Sequence, residues 1–161
     1  MSAPRADRPH MPGYGLASES EGRLLSFEWA EERLAAARNY FVATTRPDGR
    51  PHVMPVWAVW LDAAVWFNTG GESRKSRNLA ANSACAVSIE GADESVIVEG
   101  DAERVSDADD FARFVEAYRA KYDWSLAESK DPTFVVRPRV VFGMIEAADQ
   151  FTKTATRWRF A

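Results

Sequence analysis

The sequence predicts a mainly β domain with helices, an α+β class of about six short antiparallel strands and three helices. Two observations predict it. Six β-prone runs are separated by turn residues, and three stretches carry apolar side chains at helical spacing behind capping residues. A third, the length of 161 residues with 46% hydrophobic and 27% charged, supplies enough apolar material for one sizeable core and makes two domains unnecessary. Alternation alone leaves open whether the strands close as a small barrel with helices at its ends or stack as a sandwich.

Residues 1–22 (MSAPRADRPHMPGYGLASESEG) are rich in Pro, Gly, Ser and charge without periodicity, so they read as a flexible or draping N-terminal arm ahead of a single domain over 23–161. In SFEWAEERLAAARN, Ser26 can cap a helix in which Phe27, Ala30, Leu34 and Ala37 recur on one face. YFVATT is β-rich, RPDG is a hairpin turn, and PHVMPVWAVWL is a long β-prone run leading through a tight turn at Asp62-Ala63 into AVWFNT. These three strands should form a meander. The middle one is apolar on both faces: His52, Met54, Val56, Ala58 and Trp60 alternate with Val53, Pro55, Trp57, Val59 and Leu61. One face can fill a barrel, and the other must meet a ligand, a helix or a second subunit. Pro55 removes a ladder N–H, so an irregularity is expected there. With Trp57, Trp60 and Trp66 on strands too apolar to face water, a homodimer is expected.

A loop-and-helix stretch, GGESRKSRNLAANSA, follows. ACAVSIE and SVIVEGDAERVSD give two more strands. Ser106 then opens DADDFARFVEAYRAKYDW, whose Phe111, Phe114, Val115, Tyr118 and Tyr122 form a stripe read as core packing. TFVVRPRVVFGMIEA is a strand pair or one strand kinked at Pro138, and a polar tail ends in TRWRF.

Several function classes fall away. A net charge of -4 argues against general nucleic-acid binding, and no run approaches the roughly 18 apolar residues of a membrane span. No charged-then-apolar leader opens the chain, and the single cysteine, Cys85, excludes an internal disulfide and a Cys-rich metal site, so a cytoplasmic location and no metal are expected. Cys85 reads as a small core residue. Neither Cys85 nor the two histidines forms a nucleophile–base pair with a neighbour, so no catalytic side chain is assigned. His10 reads as a surface residue, and His52 as a satisfied structural histidine with proton donor as the alternative.

One local feature resists a bland reading. Arg74, Lys75 and Arg77 occupy the first turn of the predicted second helix, where the helix dipole and free N–H groups make a cation unfavourable by about 0.3–1 kcal/mol. A phosphate over that end reverses the sign. The alternative is a solvated basic face.

The order of NTGGESRKSRNLAAN after a strand, the DGRPHVMPVW hairpin and VEGDAERVSD resembles the pyridoxamine 5′-phosphate oxidase-like family of flavin-binding split β-barrels, over about Arg38 to Ala161. The resemblance implies a dimeric split β-barrel of about six antiparallel strands with flanking helices, its cofactor lying in the cleft between two subunits. By the same resemblance Arg74 and Lys75 grip the cofactor phosphate, Asn68 and Thr69 contact the cofactor, and Met54, Pro55, Val56 and Trp57 line the ring. Ser73 is an N-cap that can also donate to phosphate, Arg77 and Asn78 are further candidates, and Trp57 and Trp158 can stack on ring or substrate or pack in the core.

The oxidase subgroup also has a cation near the end of the second strand and a Ser-Arg-Pro…Ser-Gln signature for the vitamer phosphate. Here Ala58-Val59-Trp60 stands at that strand end and the signature does not occur. Vitamer oxidation is therefore disfavoured. Arg-Asn-Leu after the basic turn, with Arg-rich, Lys-poor composition, resembles the branch that uses the deazaflavin coenzyme F420; FMN is the rival cofactor. The implied function is hydride transfer to a small planar acceptor, with a non-catalytic flavin- or haem-binding module and a purely structural dimer as alternatives.

Overall fold

A computed structural model describes residues 3–161. In chain order its elements are β1 (Arg5–Asp7), α1 (Phe27–Ala36), β2 (Tyr40–Thr45), β3 (Pro51–Val56), β4 (Ala58–Leu61), β5 (Ala64–Asn68) and α2 (Arg74–Ala81), followed by β6 (Ala84–Ile89), β7 (Glu94–Arg104), α3 (Ala108–Tyr122), β8 (Thr133–Ile145), α4 (Phe151–Thr154) and β9 (Thr156–Arg159). The strands make one antiparallel sheet in the order β1-β9-β8-β7-β6-β2-β3, and β5 pairs both β4 and β8. The first part of β8 pairs β5 and its second part pairs β9. Since β3 runs on into β4, the curled sheet comes back on itself through the chain, which makes a split barrel of the mainly β class expected.

Local chemistry accounts for the element ends. Ser26 caps α1 through the Trp29 N–H, and Ser73 caps α2 through the Ser76 N–H. At α3 the cap is Asp107, not Ser106: its carboxylate accepts from Asp109 N at 3.0 Å and Asp110 N at 2.9 Å, and its charge suits a helix start. Asp62 and Ala63 both lie at positive φ, 51° and 54°, the geometry of a two-residue hairpin between β4 and β5. TFVVRPRVVFGMI is one strand: the ladder to β7 shifts register between Glu99 and Gly100, opposite Pro138, which has no N–H to give. A Cβ on Gly100 would stand 2.1 Å from the Arg137 carbonyl oxygen, so only glycine fits this close approach.

The long apolar run divides at Trp57, and its halves bury differently. Tyr40, Val42, Val56, Ala58, Val65, Phe67, Val87 and Val98 fill the barrel, closed by Leu34 of α1 and Leu79 of α2. The outer side of β4–β5 is covered by α3, whose Phe114, Tyr118 and Tyr122 pack on Val59, Trp66 and Val135. Trp66 is thus buried under a helix, donating Nε1–H to the Leu61 carbonyl, and Trp60 packs on Phe27 of α1. Trp66 has no surface to offer a second subunit and Trp60 is partly covered, so the argument from three tryptophans rests chiefly on the exposed Trp57.

The arm holds an element the sequence reading does not anticipate. Met1 and Ser2 lie outside the described residues, but Arg5–Asp7 adds an edge strand to β9, in register from Arg5 with Arg159 to Asp7 with Arg157. Asp7 accepts from Arg157 Nε at 2.8 Å and pairs with Arg159 as well, and those bonds, Arg157 first, hold its carboxyl below the usual range. Arg8 donates to the Ala155 and Lys153 carbonyls at 2.9 and 2.6 Å. The polar tail likewise contains α4 and β9. No helix among the described residues is long and apolar enough to cross a membrane.

Candidate functional site

The loop between β5 and α2 is built by its own hydrogen bonds. Thr69 N–H donates to the Pro132 carbonyl at 3.1 Å, Ser73 N–H to the Gly70 carbonyl at 3.0 Å, and Gly71 N–H to Asp131 Oδ1 at 3.1 Å. The Thr69 and Ser73 hydroxyls lie 3.4 Å apart. This chain path delivers Arg74 and Lys75 to a first turn that contains no acid. Among the described residues neither pairs with a carboxylate, and nor do Arg46 and Arg77. Burial lowers the Lys75 ammonium from its ordinary value of 10.5.

Two further residues join this pole from the β2–β3 hairpin. His52 stands opposite Thr44 in the ladder, and the Thr44 hydroxyl accepts from Asn78 Nδ2 of α2 at 3.0 Å, so α2 is tied to the strand pair beside the histidine. Burial, then the charges of Arg46, Lys75 and Arg74, holds the His52 imidazole below its ordinary 6.5. His52 Nδ1 and Asn78 Oδ1 are buried without a hydrogen-bond partner. Arg46 and His52 escape a search for a basic helix because they come from a hairpin. Their signal was the turn itself, RPDGRPH, which sets both residues at the same end of the β2–β3 pair.

The other candidates separate into three groups. Met54 and Trp57, 46% and 36% exposed, and the exposed Pro55 are presented to solvent on the edge strand and just beyond it, while Val56 turns into the core. Trp57 stacks on Tyr122 with ring centroids 4.6 Å apart and 4° between planes, and the Arg38 guanidinium lies 5.2 Å from its centroid. Asn68 is a loop pin: its amide donates to the Asp131 and Pro132 carbonyls and to Thr133 Oγ1, and its Oδ1 faces Ser129 Oγ. Arg77 lies away from Arg74 and Lys75, on a cleft of about 450 Å³ with Arg104, Lys130 and Glu72.

For two candidates burial favours the structural role that the sequence left open beside the binding one. Trp158 is 1% exposed, lodged against Phe27 and over Gly143, where a Cβ would stand 2.6 Å from its ring; it is core and offers no face to a ring or substrate. Asn78 is 1% exposed and holds Thr44. Nor is the end of the long run without a cation. Lys121 of α3 donates to the Ala58 carbonyl at 3.0 Å and to Tyr40 Oη at 2.8 Å, and burial lowers its ammonium to about 8. Those bonds tie it internally.

Among curated proteins none matches the chain. Solved structures of similar fold include a conserved hypothetical protein from Mycobacterium tuberculosis, 22% identical over 74% of this chain and 84% of that one with a TM-score of 0.66. An F420 reductase is 28% identical over 69% of this chain and 94% of its own, at a TM-score of 0.57. An FAD-binding protein from Mesorhizobium loti is 20% identical over 85% and 96%, at 0.61. The family described as pyridoxamine 5′-phosphate oxidase matches residues 28–142, which take in the strands β2 to β7, most of β8, and the basic turn of α2, and the chain belongs to that family.

Proposed function

We propose that the protein is an oxidoreductase that binds coenzyme F420 and passes hydride to a small planar acceptor, working as a homodimer. The observation that carries this reading is the cationic pole of Arg74 and Lys75, which no carboxylate neutralises among the described residues, beside an exposed apolar edge strand. A phosphate-bearing planar cofactor fits both parts. Arg74 and Lys75 would hold the phosphate, aided by the Ser73 and Thr69 hydroxyls, and Met54, Pro55 and Trp57 would flank the ring. β3 lies at the sheet edge, so the backbone groups on its outer side are free of ladder bonds, apart from the N–H that Pro55 lacks. Trp57 is held at a fixed angle by Tyr122, which leaves it as a rigid wall.

When bound, the deazaflavin supplies the hydride at C5 of its ring; the chain's own task is to bind, orient and exclude water. The choice of F420 draws on the 28% likeness to a protein named F420 reductase. Vitamer oxidation is disfavoured because Lys121, the cation at the end of the long run, is bonded to Tyr40 and Ala58. FMN is the second reading, favoured by the family match.

The test is anaerobic. Reduced F420 is mixed with protein and a panel of quinones, enones and tetrapyrroles, and its loss is followed by absorbance, beside oxygen uptake with FMN and pyridoxamine phosphate. The proposal expects acceptor-dependent loss of reduced F420, tighter binding of F420 than of FMN, and no vitamer turnover. Oxygen-dependent vitamer turnover, or micromolar FMN binding with none of F420, assigns the FMN reading instead.

A further inference from the structure

We propose that His52, backed by Arg46, is a further ligand of the anion held by Arg74 and Lys75, and that it binds as the imidazolium, so that anion binding takes up one proton from solvent. The inference rests on reading that pole as a phosphate site.

Its basis is the placement of one side chain. His52 lies beside Thr44 across the β2–β3 ladder, and Asn78 ties Thr44 to α2, so the imidazole sits where the hairpin and the basic helix meet. Its Nδ1 is buried and has no partner among the described residues. A buried polar group in that condition is costly, and natural proteins rarely leave one without a reason. The charges that act on it are those of Arg46 from the hairpin turn and of Lys75 and Arg74 from α2, all of one sign. Among the described residues none of these cations is paired with an acid.

Alone, such a pole disfavours the imidazolium, since burial and three like charges both oppose a fourth. An oxyanion among them changes the balance: it accepts from an imidazolium N–H and offsets the charge of its neighbours. The histidine is then more basic in the complex than in the free protein. The sign follows by linkage. Affinity is highest below the free protein's lowered histidine pKa, itself under 6.5. It falls by about tenfold per pH unit between that value and the raised pKa of the complex, and is flat above the latter.

Inorganic sulfate is the probe, because its charge is constant where histidine titrates and any pH slope then belongs to the protein. The full chain is titrated with sulfate by calorimetry in buffers of different ionisation enthalpy, and the histidine ring resonances are followed by NMR. His10 and His52 are the two histidines, so His52→Gln assigns the signals. The inference expects linked uptake of about half a proton or more per sulfate, a His52 pKa raised by about one unit or more, and His52→Gln binding sulfate more weakly by about tenfold or more at low pH with no slope.

A pH slope unchanged in His52→Gln, or a His52 resonance that sulfate does not move, overturns the inference. Should His52→Gln fail to fold, His10→Gln assigns the resonances and the wild-type titration decides. Lys75→Ala keeps the two levels distinct. If it abolishes sulfate binding while His52 is indifferent, the phosphate site stands and only the role of His52 is lost. If Lys75→Ala has no effect on sulfate or cofactor, or the wild type binds no sulfate, the reading of the pole fails and the inference with it.

Discussion

Lys75 is a residue that the fold disfavours and that the proposed phosphate site would need. It lies in the first turn of a helix, where the dipole repels it, and burial already lowers its ammonium from 10.5. Lys75→Ala should therefore leave the melting temperature of the cofactor-free protein unchanged or slightly raised. Cofactor binding should weaken by about 1.5–3 kcal/mol, the range for a hydrogen bond to a charged group. Paired thermal melts and cofactor titrations check both halves, and equal affinity in variant and wild type would mean a merely solvated basic face. The residues read correctly from sequence are those whose chemistry is local. Ser26 and Ser73 cap because a hydroxyl three residues before a free N–H suffices. The core role of Trp158 and the loop bonds of Asn68 were not legible because their partners, Gly143 and the loop 129–133, are remote in sequence or specified only by the closed barrel.

At the scale of elements, legibility follows how much of an element's stability is its own. The hairpins and helices carry apolar periodicity and turn residues, so they were visible. β1 carries neither: three residues, Arg5, Ala6 and Asp7, are a strand because Arg157 and Arg159 lie opposite and Asp7 pairs with both. The same contrast explains the long run from Pro51 to Leu61. Its apolarity was plain, but only the arrival of Tyr122 from α3, whose hydroxyl accepts the Ala58 N–H at 3.0 Å, shows why it breaks at Trp57. The Asp62-Ala63 turn supplies a test within one element. An L side chain at positive φ costs about 1–2 kcal/mol, and glycine gives back about 0.5–1 in chain entropy, so Ala63→Gly should gain about 0.5–1 kcal/mol. For a chain of this size that is a rise of roughly 2 °C in calorimetric Tm. A fall would mean that the Ala63 methyl is needed for packing in a way its hairpin position does not predict.

For the whole molecule the open face of the sheet is the feature that demands an explanation. Register places Pro55, Phe41, Ser88, Ile97 and Phe142 in one row across β3, β2, β6, β7 and β8. Beside it runs a second row of Val53, Ala43, Ala86, Glu99 and Val140. Phe41 and Val53 are 41% and 54% exposed, and small residues between them keep the face flat. A monomer that left such a surface in water would be at risk of association, whereas a second copy would bury it, and a stable homodimer needs about 800 Å² from each partner. Sedimentation should therefore give a dimer at micromolar concentration. Phe41→Glu, whose new carboxylate is solvated in the monomer and desolvated beside its symmetry mate in the dimer, should sediment as a folded monomer. Because Met54, Pro55 and Trp57 lie at the rim of this face, the same variant should lose cofactor affinity with an unchanged far-ultraviolet spectrum. A dimer that survives Phe41→Glu would place the interface elsewhere, and a Phe41→Glu monomer that binds cofactor as tightly as the wild type would show that one chain completes the site alone.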